Sequence, residues 1–194
     1  MTLENTIDNV ATLAEAEQNQ SSCYIDANYP EDRTHTIGYV IIGDRVLIKD
    51  GARVRNRGFG FHMDANGRFD IPQLGIVNIC NNVHIGVNTV VDRGSFADTV
   101  ICNNVRICNL VQITHSVDVG HNSILVAQVG LAGSTELGKF VIAAGQAGIS
   151  DRLTIGNGIE IAANICVMRD LQDGLAVAGI PAVLVNDWHR QTVA

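Results

Sequence analysis

The chain has 194 residues, enough for one domain with a small appendage. It is 46% hydrophobic but only 5% aromatic, so its apolar content is mostly Ile, Val, Leu and Ala, which suit strands and narrow interiors. A net charge of −7 without any Lys/Arg cluster speaks against nucleic-acid binding, no apolar run reaches membrane-spanning length, and the N-terminus lacks the pattern of a signal peptide, so a cytoplasmic protein is expected.

Residues 1–36 hold seven acidic residues against Arg33 alone and keep no period, which reads as an irregular acidic N-terminal segment. Ile7, Val10, Leu13 and Ala14 could form a short helical face or belong to a frayed tail; the sequence leaves both open. From residue 37 the pattern changes. Ile42, Ile48 and Val54 recur at every sixth position, and the period then breaks over about 55–75, a loop expected to leave the repeat. Long loops in repeat proteins often line a binding face. The period returns at Ile79, Ile85 and Val91, and the ten-residue step to Ile101 implies a four-residue insertion within Asp92–Thr99.

From Ile101 to Val167 every sixth residue is Ile, Leu or Val, Ala143 alone excepted. A second, mostly apolar column runs two residues ahead of it, from Val105 to Ile165. An amphipathic helix would repeat every 3.6 residues, whereas residues two apart in a strand share a face. Each hexad therefore supplies a short strand with two inward side chains and then a turn, with Gly and Asn suited to the left-handed corner. Three hexads make one triangular coil, and stacked coils bury a continuous aliphatic column. The expected fold is all-β, a parallel β-helix over 37–185, with 186–194 as a short tail outside the repeat.

The odd count of 5 cysteines and the lack of a Cys-x-x-Cys pair argue against a disulfide framework or a metal site. Of the six histidines, His115 follows the inward Ile113 by two residues, which puts it at a corner and projecting outward. His121 holds the same position one hexad later and serves as an internal control.

Four segments carry a more specific signal: Gly58-Phe59-Gly60-Phe61 followed by Ile71-Pro72-Gln73-Leu74-Gly75; Val91-Asp92-Arg93-Gly94 with Asp98-Thr99; Asn109 through His115; and Gly179-Ile180-Pro181-Ala182 with Trp188-His189-Arg190. In this order and spacing the chain resembles the UDP-3-O-(3-hydroxyacyl)glucosamine N-acyltransferases of lipid A synthesis, within the hexapeptide-repeat acyltransferase superfamily. The resemblance covers roughly residues 37–190. It implies a left-handed β-helix, although parallel crossovers are ordinarily right-handed. It implies a homotrimer with sites between neighbouring prisms, and transfer of a 3-hydroxyacyl chain from acyl carrier protein to the 2-amino group of a UDP-3-O-acylglucosamine. No metal or diffusible cofactor is implied, because the carrier thioester brings the activated group.

The resemblance makes His115 the general base, a role that suits imidazole near neutral pH. It makes the backbone N–H of Gly133 the oxyanion donor, and the repeat agrees, since three hexads lead from His115 to the same corner one layer along. Asn109 and Gln112 match substrate-binding positions, with satisfaction of corner backbone as the plain alternative. Phe59 and Phe61 are candidate walls for the acyl or pantetheine chain, or for packing against a neighbouring subunit. The chain departs from the family at Cys108, where Asp is common, at Ser116, where Asn follows the histidine, and at Arg152, where a second histidine is expected. Arg152 keeps a donor there but cannot shuttle a proton at neutral pH. Set against the resembled family, its N-terminal uridine-recognition domain and C-terminal helical extension are expected to be missing from this sequence. Two alternatives therefore stand beside the leading reading: an inactive trimeric remnant, and a short hexapeptide acetyltransferase acting on another amino-sugar.

Overall fold

A computed structural model of the protein describes residues 24–25, 40–179 and 183–192. The possible helical face at Ile7, Val10, Leu13 and Ala14 lies outside these residues. Within the acidic segment, Tyr24–Ile25 form a short strand parallel to Arg53–Val54.

The hexads fold into three parallel sheets that form the sides of a prism. The first face carries Arg53–Asn56, Val90–Asp92, Gln112–Ile113, Gly130–Leu131, Gly148–Ile149 and Cys166–Val167. The second runs from Val40–Ile42 through Asp118–Val119 to Thr154–Ile155, and the third from Leu47–Ile48 through Ile124–Leu125 to Ala176–Ala178. Ile113 pairs with Leu131, and Leu131 with Ile149, so one coil takes three hexads. Val91 pairs with Ile113, a longer step that equals one coil plus the insertion. The two inward columns are buried almost throughout, with Ile113, Val119 and Leu125 at 0% exposure and Leu153 partly buried. Hydroxyls interrupt the second column at no polar cost. Ser123 Oγ donates to Gly138 O at 3.0 Å, and Thr135 Oγ1 to Ser150 O at 2.9 Å.

The second turn residue of successive hexads takes a left-handed conformation, including Asn104, Ser116, Ser134 and Asn164. Asn suits it, but Leu110, Phe140 and Arg152 occupy it as well, with φ near +56 to +59°. The stacked strands fix the corner whichever side chain is present, so composition alone marks it incompletely.

The excursion at 55–75 leaves the prism and forms an antiparallel hairpin, Phe61–Asp64 with Gly67–Asp70, exposed along its whole length. At the far end Val183–Leu184 fold back antiparallel onto Ala176–Ala178 and lead into a helix, Val185–Thr192. Among the described residues no helix is long and apolar enough to cross a membrane.

Candidate active site

The corner that follows the first face differs from its neighbours. At several other corners the side chain of the first turn residue accepts a hydrogen bond from the backbone N–H one coil earlier. Asn109 Oδ1 takes Val87 N–H at 2.9 Å, Asn157 Oδ1 takes Lys139 N–H at 2.9 Å, and His121 Nδ1 takes Asn103 N–H at 3.2 Å. By register His115 should receive Arg93 N–H in the same way. That N–H is already taken by Asn56 O at 2.9 Å, because the strand Arg53–Asn56 runs on into the corner before the excursion begins. His115 is thereby released from the structural duty that occupies His121. Its Nδ1 is buried without a hydrogen-bond partner, and its Nε2 makes no hydrogen bond to the described residues.

Two glycines flank the imidazole. A Cβ on Gly133 would stand 2.4 Å from His115 Cε1 and 2.7 Å from Nε2, so the ring occupies the space that only a glycine leaves one coil along. A Cβ on Gly58, in the excursion, would meet His115 Cβ at 3.0 Å and Cδ2 at 3.1 Å. The expectation that His115 projects outward is therefore modified: the excursion returns over it and half-buries it.

Gly133 itself has an open N–H. Its carbonyl accepts from Arg152 N–H at 2.9 Å, but its own N–H has no partner among the described residues. The corner rule would supply the Asp151 side chain as acceptor. That carboxylate instead takes Arg152 Nη2 at 2.7 Å and Nε at 2.9 Å, out in solvent. Arg152 is thus placed on Asp151 and makes no described contact with His115.

The excursion is tied to this corner through Gln73, which is 5% exposed. Gln73 Oε1 accepts from Ser95 Oγ at 2.7 Å, and Gln73 Nε2 donates to Ile71 O at 3.1 Å. Ser95 N–H donates to Ser116 Oγ at 3.1 Å, and that hydroxyl donates to Ala97 O at 3.0 Å. Ser116, which stands where the resembled family has Asn, therefore binds the 92–99 insertion to the residue beside the imidazole.

A second polar cluster lies below. Asp92 is 3% exposed and accepts from Asn56 Nδ2 at 2.9 Å and from Gln112 Nε2 at 3.0 Å. Burial pushes its carboxyl up to about 6, with the Asn56 hydrogen bond pulling the other way. An unfolded Asp releases its proton near 3.8, so the folded state binds protons more tightly between these values. Stability contributed by this group is complete below about 4 and is lost as pH rises through about 6. Asp92→Asn abolishes the titration. Between pH 4 and pH 7 it should gain roughly 2–3 kcal/mol relative to the parent in urea unfolding; a difference that does not change with pH would refute this origin.

Of the other candidate residues, Asn109 satisfies corner backbone, the plain alternative given above. Phe59 and Phe61 meet edge to face with centroids 5.4 Å apart, Phe59 standing 82% exposed. The Cys102 thiol is raised to about 11 by burial and then by the charge of Asp118, so it stays protonated at neutral pH and is a poor nucleophile. Residue-by-residue reading of the sequence did not single out Gly58, Gln73 or Asp92. All three lie in the quoted motifs, whose density in the two segments that break the hexad was the available signal.

No protein-family model matches the chain. A UDP-3-O-acylglucosamine N-acyltransferase of Rickettsia akari is 47% identical over 158 residues, 81% of this chain and 46% of that protein. The enzyme of the same name from Methylobacterium nodulans is 44% identical over 153 residues, 79% of this chain and 44% of its own length. UDP-3-O-acylglucosamine N-acyltransferase 2 of Legionella pneumophila is 46% identical over 156 residues, 80% and 46% of the two chains. The chain thus spans a little under half the length of the curated relatives it matches. Among solved structures, the UDP-N-acetylglucosamine acyltransferase of Francisella novicida superposes with a TM-score of 0.64 at 20% identity, covering 79% of this chain and 63% of that one. That of Campylobacter jejuni gives 0.62 at 25% identity, covering 76% and 65%. Over its coils the chain is a sequence relative of the UDP-3-O-acylglucosamine N-acyltransferases, built on the left-handed parallel β-helix of hexapeptide-repeat acyltransferases.

Proposed function

We propose that the protein is an N-acyltransferase that moves a 3-hydroxyacyl chain from acyl carrier protein to the 2-amino group of UDP-3-O-acylglucosamine, a step of lipid A synthesis. The observation that carries this is the pairing of an imidazole released from its corner bond with the open N–H of Gly133 on the same corner. The amine must lose a proton as its nitrogen attacks the thioester carbon. His115 Nε2 accepts it, which requires the tautomer with the proton on Nδ1. The tetrahedral oxyanion is met by Gly133 N–H, a donor already in place before reaction. Collapse of this intermediate restores the carbonyl and breaks the C–S bond, and the carrier thiolate leaves with the proton from His115.

The thioester brings the activated group, so no metal or diffusible cofactor takes part. The exposed Phe59–Phe61 pair suits a wall for the acyl or pantetheine arm, completed by a neighbouring prism in a homotrimer acting in the cytoplasm. The test is to combine the purified protein with 3-hydroxyacyl carrier protein and UDP-3-O-acylglucosamine and follow the amide product by mass spectrometry. Amide at the 2-position with release of carrier thiol is the expected result. Transfer from acetyl-CoA alone would favour a short hexapeptide acetyltransferase, and a folded protein with no product would favour a catalytically silent remnant.

A further inference from the structure

A glutamine presents an acceptor oxygen and a two-proton donor nitrogen, and which one faces outward depends on what holds the other. Gln112 lies on the outer side of the first face, three residues before His115. Its Nε2 donates to Asp92 Oδ2 at 3.0 Å. An ionised carboxylate can only accept, so the amide cannot turn round without losing this bond. Gln112 Oε1 is therefore the outward atom, and it has no partner among the described residues. The space beside it is open, since a Cβ on Gly130, the next residue up the same column, would meet nothing within 4 Å.

An attacking amine carries N–H donors and needs an acceptor to aim its lone pair. Resting on the acyl-transfer reading above, we propose that Asp92 is a positioning residue that fixes the amide of Gln112 with its carbonyl oxygen outward, as the acceptor that orients the nucleophilic amine of the amino-sugar. The consequence of Asp92→Asn follows from the third member of the cluster. Asn56 Nδ2 donates both to Asp92 Oδ1, at 2.9 Å, and to Arg57 O, at 3.1 Å, so it stays a donor toward residue 92. The new amide must then offer its oxygen to Asn56 and its NH2 to Gln112. Gln112 flips and points a donor at the amine, where it hydrogen-bonds the lone pair that must attack instead of orienting it.

The test uses the full chain and steady-state kinetics with the amino-sugar and the acyl thioester varied in turn. Asp92→Asn should lower kcat/KM for the amino-sugar by about tenfold or more, in line with loss of an oriented near-attack geometry, while KM for the thioester donor changes by less than about twofold. This loss accompanies the gain in stability expected above, which separates it from simple damage to the fold. In a Gln112→Ala background the same substitution should cost nothing further, because the residue through which Asp92 acts is gone. Asp92→Asn combined with Gln112→Glu should recover most of the activity: one carboxylate oxygen accepts from the new amide and the other faces outward. Additive losses in the Gln112→Ala background, or full activity of Asp92→Asn, would overturn the proposal. A parent protein that forms no amide with any amino-sugar fails the acyl-transfer reading itself and removes the amine from the proposal. The orientation is then decided by the Gln112 side-chain 1H–15N signals, identified by their loss in Gln112→Ala. A carboxylate-held proton shifts downfield, and signals unchanged in Asp92→Asn would show that Asp92 does not hold this amide.

Discussion

Replacing His115 by Ala is expected to lower amide-forming turnover by about a hundredfold or more, the range usual for removal of a general base, while His121→Ala keeps turnover within about twofold of the parent. The two histidines occupy the same turn position one hexad apart, so they differ in surroundings and not in local geometry. His121 Nδ1 accepts Asn103 N–H at 3.2 Å. His115 has no such bond, because Asn56 O has taken the donor. His121→Ala should therefore show its cost in stability, leaving one backbone N–H to solvent, and His115→Ala in rate. The measurement is initial rate at saturating donor, with thermal unfolding of both variants alongside. Equal losses of rate in the two would remove His115 from the chemistry, and a large drop in the melting temperature of His115→Ala alone would recast it as a structural residue.

Gly133→Ala is expected to have a comparable effect without touching a titratable group. The added methyl would lie 2.4 Å from His115 Cε1 and 2.7 Å from Nε2, closer than real contacts allow. The atoms it strikes belong to a side chain, so the ring moves and the coil survives. Gly58 lies against Cβ and Cδ2 of the same side chain, which narrows the room for that movement. Displacement of a reacting group by about 1 Å costs on the order of a hundredfold, so turnover should fall by at least that much with the unfolding midpoint little changed. Gly148→Ala is the control: it lies on the first face with nothing within 4 Å of the built Cβ and should leave the rate intact. Wild-type turnover in Gly133→Ala would show that the imidazole does not need its seat against this backbone.

The prism was legible because its information is local and repeated. The Ile101 to Val167 column fixes inward positions, the spacing of six fixes the turns, and the shift between Val91 and Ile101 announced the insertion seen in the longer register step from Val91 to Ile113. His115 and Gly133 were legible as neighbours for the same reason, since three hexads return to one corner. What the hexads could not reveal was made by the two segments outside the period. That Asn56 O captures Arg93 N–H, that Gly58 covers the imidazole, and that Gln73 reaches Ser95 all depend on how the 55–75 excursion comes back to the prism. No periodicity encodes that path. Arg152 shows the opposite limit: its position in the motif was clear, yet its direction was set by the adjacent Asp151.

The antiparallel turn of Val183–Leu184 onto Ala176–Ala178 bears on solubility. A parallel stack has no intrinsic stopping point, and each new rung offers the next chain a row of unpaired N–H and C=O groups. Here the third face ends in a strand of reversed direction followed at once by the helix Val185–Thr192. A second prism seeking to continue the parallel register on this face would meet a strand of the wrong polarity. On this face the reversed strand thus works against end-to-end stacking of prisms, the hazard built into any fold that grows by adding identical layers.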